Sequence, residues 1–312
     1  MIVRDRPRGL QLFYILRGSI LPRIAAELAT CTGVALLVTL THGFVYQWKI
    51  TLTAVPFSLM GLALAIFLGF RNSTAYDRYW EGRRLWGDLV HRSRSFARQV
   101  QTLLRFDAAV GPGDARDPRR LMILRTVAFS SCLRHQLRGS DAAADLARLL
   151  PHDEAQACAA ARRPVDWLLR RNGEELGALL RAGRVDAPVA AEMDQSLSGM
   201  AAVAAGCERI RNTPIPFPYT LLLHRTAWLY CFLLPFGLVD TVRFMTPFVV
   251  AIVAYTFFGL DALGDEIEEP FGTAENHLAL DALCREIEIN LREALGETEL
   301  PPPLEPVDAR LS

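Results

Sequence analysis

Acidic side chains are concentrated in one short segment, near the end of an apolar run. Asp261 lies at the end of that run, and four more carboxylates follow within eight residues: Asp265, Glu266, Glu268 and Glu269. Carboxylates beside a membrane-length apolar segment are costly unless they are hydrated, paired or bound to a cation. We predict that they pair with the arginines that follow Phe70. A calcium site is the alternative, and a tight one needs about six to eight oxygen ligands.

Cysteine and histidine are dispersed, which argues against a metal centre or a nucleophile. The chain has six of each, with no CxxC, HExxH or HxxxH spacing. The sequence also lacks the phosphate-binding GxxxxGK motif and the GxSxG motif, so it predicts neither an enzyme nor a cofactor. The net charge is zero, and we expect no nucleic-acid partner. The cysteines are expected to be buried free thiols: Cys31, Cys132, Cys158, Cys207, Cys231 and Cys284.

These charged segments are arranged around a membrane-length apolar segment. Residues 50–70 carry no charge. At about 1.5 Å per residue, a helix of this length spans roughly 30 Å, the thickness of a bilayer's hydrocarbon core. Residues 71–84, which follow directly, are rich in arginine. The pattern predicts a transmembrane helix that continues into water.

Two faces of this helix differ in side-chain size. One face has small residues at every fourth position: Gly61, Ala65 and Gly69. Such a ridge lets another helix approach closely in lipid. A second face, about 100° around the axis, has large apolar residues: Leu62, Ile66 and Phe70. Around a symmetry axis this stripe would form stacked apolar rings, which can gate a pore by dewetting, whereas the alternative is simple contact with lipid or a neighbouring helix.

Four apolar segments predict four membrane helices, at residues 29–45, 50–70, 220–239 and 244–260. Arginines before the first segment and after the second indicate cytoplasmic termini by the positive-inside rule. The expected organisation is all-α: residues 1–23 a cytoplasmic or interfacial N-terminal segment, 24–70 transmembrane helices 1 and 2, 71–217 a cytoplasmic helical region, 218–262 transmembrane helices 3 and 4, 263–298 cytoplasmic acidic helices, and 299–312 a C-terminal tail.

Proline and glycine divide the cytoplasmic region into predicted helices. Breaks are expected at Pro151, at Pro164 and at the pair Asn172 and Gly173, among others. Two acidic amphipathic helices are expected after the fourth span, with Pro270 between them. The tail contains three consecutive prolines and no apolar periodicity, which is typical of a mobile tail or of a strap on the surface.

Three ordered motifs resemble the bestrophin family, especially its bacterial branch. They are FLGFRNSTAYDRYWEGRRLWG at 67–87, IPFPYTLLLHR at 215–225 and EIEEPFG at 266–272. The resemblance extends from the N-terminal arginines to about residue 295. It implies a homopentameric ion channel of the bacterial inner membrane, with four membrane helices per subunit, cytoplasmic termini and a helical cytoplasmic vestibule around one central pore.

The resemblance also implies positions for two constrictions of that pore. The family's apolar neck falls on the stripe defined above: Leu62, Ile66 and Phe70. A second, cytoplasmic constriction comes from the start of the helix that precedes the IPFPYT motif. In this chain that helix is expected to begin near residues 186–188, which makes Pro188 or Val189 the candidates.

The sequence decides neither calcium binding nor ion selectivity. Animal bestrophins hold calcium partly through acidic residues directly after the PFG motif, and this chain lacks most of those carboxylates. Glu266 and Glu269 do occupy clasp-like positions. The implied partners are further copies of the chain, membrane lipid and permeant ions, which are either anions such as chloride or cations such as sodium. The alternative function is a membrane-anchored oligomeric scaffold or signalling protein without conduction.

Overall fold

The computed structural model describes residues 1–3, 14–15, 18–45, 48–49, 52–105 and 117–312. Most of the predicted N-terminal segment, residues 1–23, lies outside this part of the chain. The all-α class is confirmed, with one hairpin of two-residue strands, β1 (Phe44–Val45) and β2 (Trp48–Lys49). The helices are α1 (Ala25–Leu40), α2 (Ala54–Leu103), α3 (Pro118–Arg138), α4 (Ala143–Leu149), α5 (His152–Ala160), α6 (Pro164–Arg181), α7 (Ala187–Asn212), α8 (Phe217–Val242), α9 (Thr246–Glu268) and α10 (Leu280–Ala294).

The helices form two compact units. Arg4–Tyr79, as far as it is described, and Pro214–Glu269 form the first, which we call the apolar unit. Met1–Val3, Trp80–Thr213 and Pro270–Ser312 form the second, which we call the polar unit. Helix α2 contributes residues to both.

Helix α2 is 50 residues long and continues well beyond the apolar segment, as predicted. No proline follows Pro56 within it, so the backbone hydrogen-bond ladder is not interrupted. Its first turns contribute Phe57, Leu64 and Leu68 to the core of the apolar unit. This core also contains side chains of α1, α8 and α9. Helix α1 packs against both α8 and α9.

The apolar helices differ in their bounds from the predicted spans. Helix α1 ends at Leu40 rather than at residue 45, because a turn follows in which His42 and Gly43 have positive φ. Among the described residues, two helical stretches are long and apolar enough to cross a membrane, Val55–Leu103 and Phe217–Glu268. The second stretch consists of α8 and α9, separated by a 3₁₀ turn at Arg243–Met245. Helix α1, with 16 residues, is a shorter apolar helix.

Helix α3 is the centre of the polar unit and packs against α4, α6, α7 and α10. The predicted break at Asn172 and Gly173 is wrong, since α6 passes through both residues. The buried Asn172 side chain donates to the Met122 carbonyl at 3.1 Å and to Thr126 Oγ1 at 3.4 Å. These contacts with α3 provide acceptors for the NH2 group of the amide, so tertiary packing overrides the turn preference of the pair.

The acidic segment forms one separate helix rather than two. Helix α9 continues to Glu268, so the first predicted acidic helix is its C-terminal end, and only α10 follows Pro270.

The tail lies on the polar unit as a strap. Arg285 Nη1 donates to the Pro302 carbonyl at 3.0 Å, and the Ala282 amide donates to the Ser312 carbonyl at 2.9 Å.

Candidate functional site

The apolar stripe of α2 is exposed on the surface of the single chain. Leu62 is 61% exposed, Ile66 47% and Phe70 62%. On the opposite side of the same helix, Leu64 and Leu68 are buried in the core of the apolar unit. The helix therefore presents three large apolar side chains on the surface of the chain, and an exposed apolar patch of this kind is typical of a site that contacts a membrane or another protein.

The small residues of α2 have different surroundings. A Cβ at Gly61 would lie 2.8 Å from Tyr230 Oη of α8, so a larger residue would require Tyr230 to shift. Ala65 is exposed, and at Gly69 a Cβ would meet no described atom within 4 Å. Gly61 thus serves packing inside the subunit. The role of the whole ridge in contact with another helix stays a prediction.

Arg71, directly after the stripe, is the most deeply buried cation of the apolar unit's described residues. Its side chain is fully buried, and it forms ion pairs with three carboxylates of α9. Nη1 donates to Asp261 Oδ1 at 2.7 Å, Nη2 pairs with Asp265, and Glu268 Oε2 lies 3.6 Å from Nη2. The prediction that the acidic segment pairs with arginine after Phe70 is therefore confirmed for these three carboxylates.

Asp261 connects three helices through one buried carboxylate. Oδ1 accepts from Arg71 of α2, while Oδ2 lies 2.8 Å from His224 Nδ1 of α8. Arg71 Nη1 also donates to the backbone carbonyl of Asp261 at 3.2 Å. No spacing in the sequence indicates the contact between Asp261 and His224, because the two residues lie on different helices.

Gly264 provides the space for this arrangement. It lies one turn after Asp261 on α9, and a Cβ there would lie 3.4 Å from Arg71 Nη1 and would collide with the side-chain oxygen of Asn72. A larger residue at this position would displace the guanidinium or its neighbour. The ion-paired cluster of Arg71, Asp261, Asp265, Glu268 and His224 is called the Arg71 cluster below.

The remaining predicted site residues lie apart from this cluster or at its border. Glu266 is buried, with Oε2 at 3.9 Å from Arg23 Nη1, and Glu269 is exposed at the end of α9. Pro188 is exposed and Val189 half-buried in the first turn of α7, which begins at Ala187. Within the described part of the chain, no group of three or more His, Cys, Asp or Glu side chains is arranged to hold a metal ion.

All six cysteines are buried free thiols, as predicted. In the polar unit, burial raises the pKa of the Cys207 thiol and that of the Cys284 thiol to about 12. Both groups therefore stay protonated at neutral pH. A thiol in this state is a poor nucleophile, so these two residues have a packing role.

Comparison with known proteins identifies the class to which this fold and its motifs belong. Residues 1–293 match the family described as Bacterial/Fungal Bestrophin protein, so the chain belongs to the bestrophin family. It is 45% identical over 309 residues to a voltage-dependent anion channel-forming protein of Mesorhizobium japonicum, covering 99% of this chain and 96% of that one. It is 42% identical over 301 residues to the voltage-dependent anion channel-forming protein YneE of Escherichia coli, covering 96% of each.

The fold is also shared with a solved structure. A bacterial bestrophin homolog from Klebsiella pneumoniae superposes with a TM-score of 0.83 at 42% sequence identity, covering 88% of this chain and 100% of that one. The family resemblance that the three motifs predicted is thus confirmed over most of the chain.

Proposed function

We propose that this chain is the subunit of a homopentameric ion channel of the bacterial inner (plasma) membrane. Small monovalent ions pass through a central pore whose neck is formed by Leu62, Ile66 and Phe70 of each copy. The observation that carries the proposal is the exposure of these three side chains, at one helical spacing, on the helix that also supplies the subunit core. Five copies around an axis would bury the stripe as stacked apolar rings, which can close by dewetting.

The proposed topology has four crossings, by α1, the first part of α2, α8 and α9. Two ion pairs within the apolar unit support it. Lys49 Nζ lies 2.8 Å from Asp240 Oδ1 near the end of α8, whereas Arg71 contacts Asp261 in the second half of α9. These contacts fit helices in which α8 runs opposite to α2 and α9. Helix α1 would be about 24 Å long at 1.5 Å per residue, a little less than the roughly 30 Å of a hydrocarbon core.

An even number of crossings leaves both termini on one side, which we propose is the cytoplasm. Residues 71–217 and 263–298 then form the cytoplasmic part, and Pro188 or Val189 a second constriction. Exposed apolar side chains of α8 and α9, such as Leu222, Leu229 and Phe248, would contact lipid or a neighbouring copy.

The neck provides no charge selectivity between anions and cations, because all three of its side chains are uncharged. The relatives are named for anion channels, so chloride is the first ion to test, with sodium as the alternative. Purified full-length protein in liposomes should conduct. Reversal potentials in asymmetric NaCl then give the preferred ion, and the native mass of the assembly should be five times the 34.7 kDa of one chain.

The liposome measurement also distinguishes the channel from the alternative function. A membrane-anchored scaffold or signalling protein would pass no current at any salt concentration or voltage tested. That result, obtained with a correctly assembled protein, would overturn the channel proposal.

A further inference from the structure

The Arg71 cluster lies directly beside the proposed neck along α2. Phe70 is exposed, while the next residue, Arg71, is fully buried and turned toward α9. Successive residues of an α-helix are about 100° apart, so the direction of the Arg71 side chain sets the direction of Phe70 and, through the helix, of Ile66 and Leu62.

Burial makes this attachment specific. A fully buried guanidinium is stable only when its charge is compensated, and here Asp261, Asp265 and Glu268 provide the compensation from one helix. A rotation of α2 would take the guanidinium out of reach of these carboxylates. The cluster therefore fixes the rotation of α2 relative to α9 more strictly than apolar contacts, which are non-directional.

A second contact holds α2 one turn before Arg71. Tyr219 Oη of α8 donates to the Phe67 carbonyl at 3.0 Å, and the rings of Tyr219 and Phe67 pack edge to face with centroids 6.5 Å apart. The neck residue Phe70 thus lies between two polar attachments, to α8 at Phe67 and to α9 at Arg71.

We propose that Arg71 and Asp261 are positioning residues of the channel neck. They touch no permeant ion. Their ion pair sets the rotation of α2, and with it how far Ile66 and Phe70 extend toward the axis, while His224 orients the carboxylate of Asp261. This inference rests on the proposed function for its consequence, conduction, but the rotation of α2 can be measured without any current.

The test uses an Ile66→Cys reporter in the full-length protein, because the native cysteines are buried. The rate at which a small charged thiol reagent modifies the reporter is compared with and without Arg71→Met, Arg71→Lys and Asp261→Asn. We expect Arg71→Met and Asp261→Asn to change this rate by about two- to thirtyfold, the usual range for residues that couple two sites. Arg71→Lys keeps the charge and should change the rate less.

The matched control is Lys49→Met, which removes an exposed ion pair of the same unit and should leave the modification rate unchanged. Single-channel conductance and reversal potential of the same variants, without the reporter, should change in parallel. If the assembled Arg71→Met and Asp261→Asn proteins keep the reporter rate of the parent, the inference is overturned. Where Arg71→Met does not assemble, Asp261→Asn decides alone.

The two proposals fail in different ways. If the assembled parent protein does not conduct but the reporter rate responds to Arg71→Met, then the role of Arg71 in setting the rotation of α2 stands and the channel function is contradicted. If the parent protein conducts and the reporter rate is unchanged, then the channel function stands and the positioning role is contradicted.

Discussion

Arg71 and Asp261 are 190 residues apart in the sequence, and they form a buried ion pair with Nη1 and Oδ1 at 2.7 Å. The pair joins the helix that bears the apolar stripe to the last apolar helix of the unit. It lies at the residue where α2 changes from an uncharged segment to an arginine-rich one. The position of this pair explains why an acidic segment follows the fourth apolar run.

Removal of the buried carboxylate should destabilise the protein strongly. In Asp261→Ala the guanidinium of Arg71 loses its 2.7 Å partner while it stays buried, and a buried charge left without any partner costs about 3–5 kcal/mol. Because Asp265 and Glu268 still compensate part of the charge, we expect a loss at or below the lower end of that range. The comparison is Asp240→Ala, which removes the exposed pair with Lys49 and should cost no more than about 1 kcal/mol. Thermal unfolding of both variants in the same detergent measures the difference. Equal losses of stability would show that the buried Asp261 pair contributes no more than the exposed Asp240 pair.

A larger side chain at Gly61 should destabilise the protein while Tyr230 is present. A Cβ at residue 61 would lie 2.8 Å from Tyr230 Oη, so Gly61→Ala should cost about 1–3 kcal/mol through overpacking. In a Tyr230→Phe background the hydroxyl is absent, and much of this loss should disappear. Gly33→Ala is the control, because a Cβ there meets no described atom within 4 Å, and it should change stability by at most about 1 kcal/mol. An unchanged unfolding temperature in Gly61→Ala would contradict the close approach.

Asp145 in the polar unit should make stability depend on pH. Burial alone would raise the pKa of this carboxyl, but the hydrogen bond with His135 and the charges of Arg134 and Arg148 outweigh it and hold the pKa below its ordinary value. A carboxyl with a lowered folded-state pKa stabilises the fold above its unfolded pKa of about 4, and this contribution is lost as pH falls through the folded pKa.

Asp145→Asn should therefore lower the unfolding temperature at pH 7, and the loss should be smaller at about pH 3, because the contribution of the carboxyl decreases as pH falls from its unfolded pKa toward the lowered folded-state pKa. Asp194→Asn changes an exposed carboxyl for which the described residues show no ion pair, and it serves as the control. A loss in Asp145→Asn that is equally large at both pH values would contradict the electrostatic explanation.

The spacing of residues predicted the helix, its apolar stripe and the pairing of the acidic segment with arginine. These features depend on local periodicity and charge, which the sequence contains directly. It did not predict that Arg71 in particular would be buried, or that His224 would join it, because contacts between distant helices leave no mark in local spacing. Asn172 shows the same limit, since its buried hydrogen bonds with α3 keep a turn-forming pair inside a helix.

The lengths of the apolar helices were predicted less well than their order. Helix α1 was expected to end at residue 45 and ends at Leu40, while α9 was expected to end at residue 260 and ends at Glu268. Hydropathy marks where a segment becomes polar, whereas a helix ends where capping and tertiary contacts end it. In α9 the contacts of Asp261, Asp265 and Glu268 with Arg71 lie in the additional turns.

Ion currents through neck variants test the central claim most directly. Ile66→Ala and Phe70→Ala remove bulk from the proposed neck, and the controls Ile252→Ala and Phe248→Ala remove the same side chains from comparably exposed positions on α9. In planar bilayers we expect both neck variants to raise the single-channel conductance or shift the reversal potential in asymmetric NaCl, since a wider constriction dewets less readily. Both controls should behave like the parent protein. Parental currents in both neck variants, from assemblies of unchanged mass, would contradict the account.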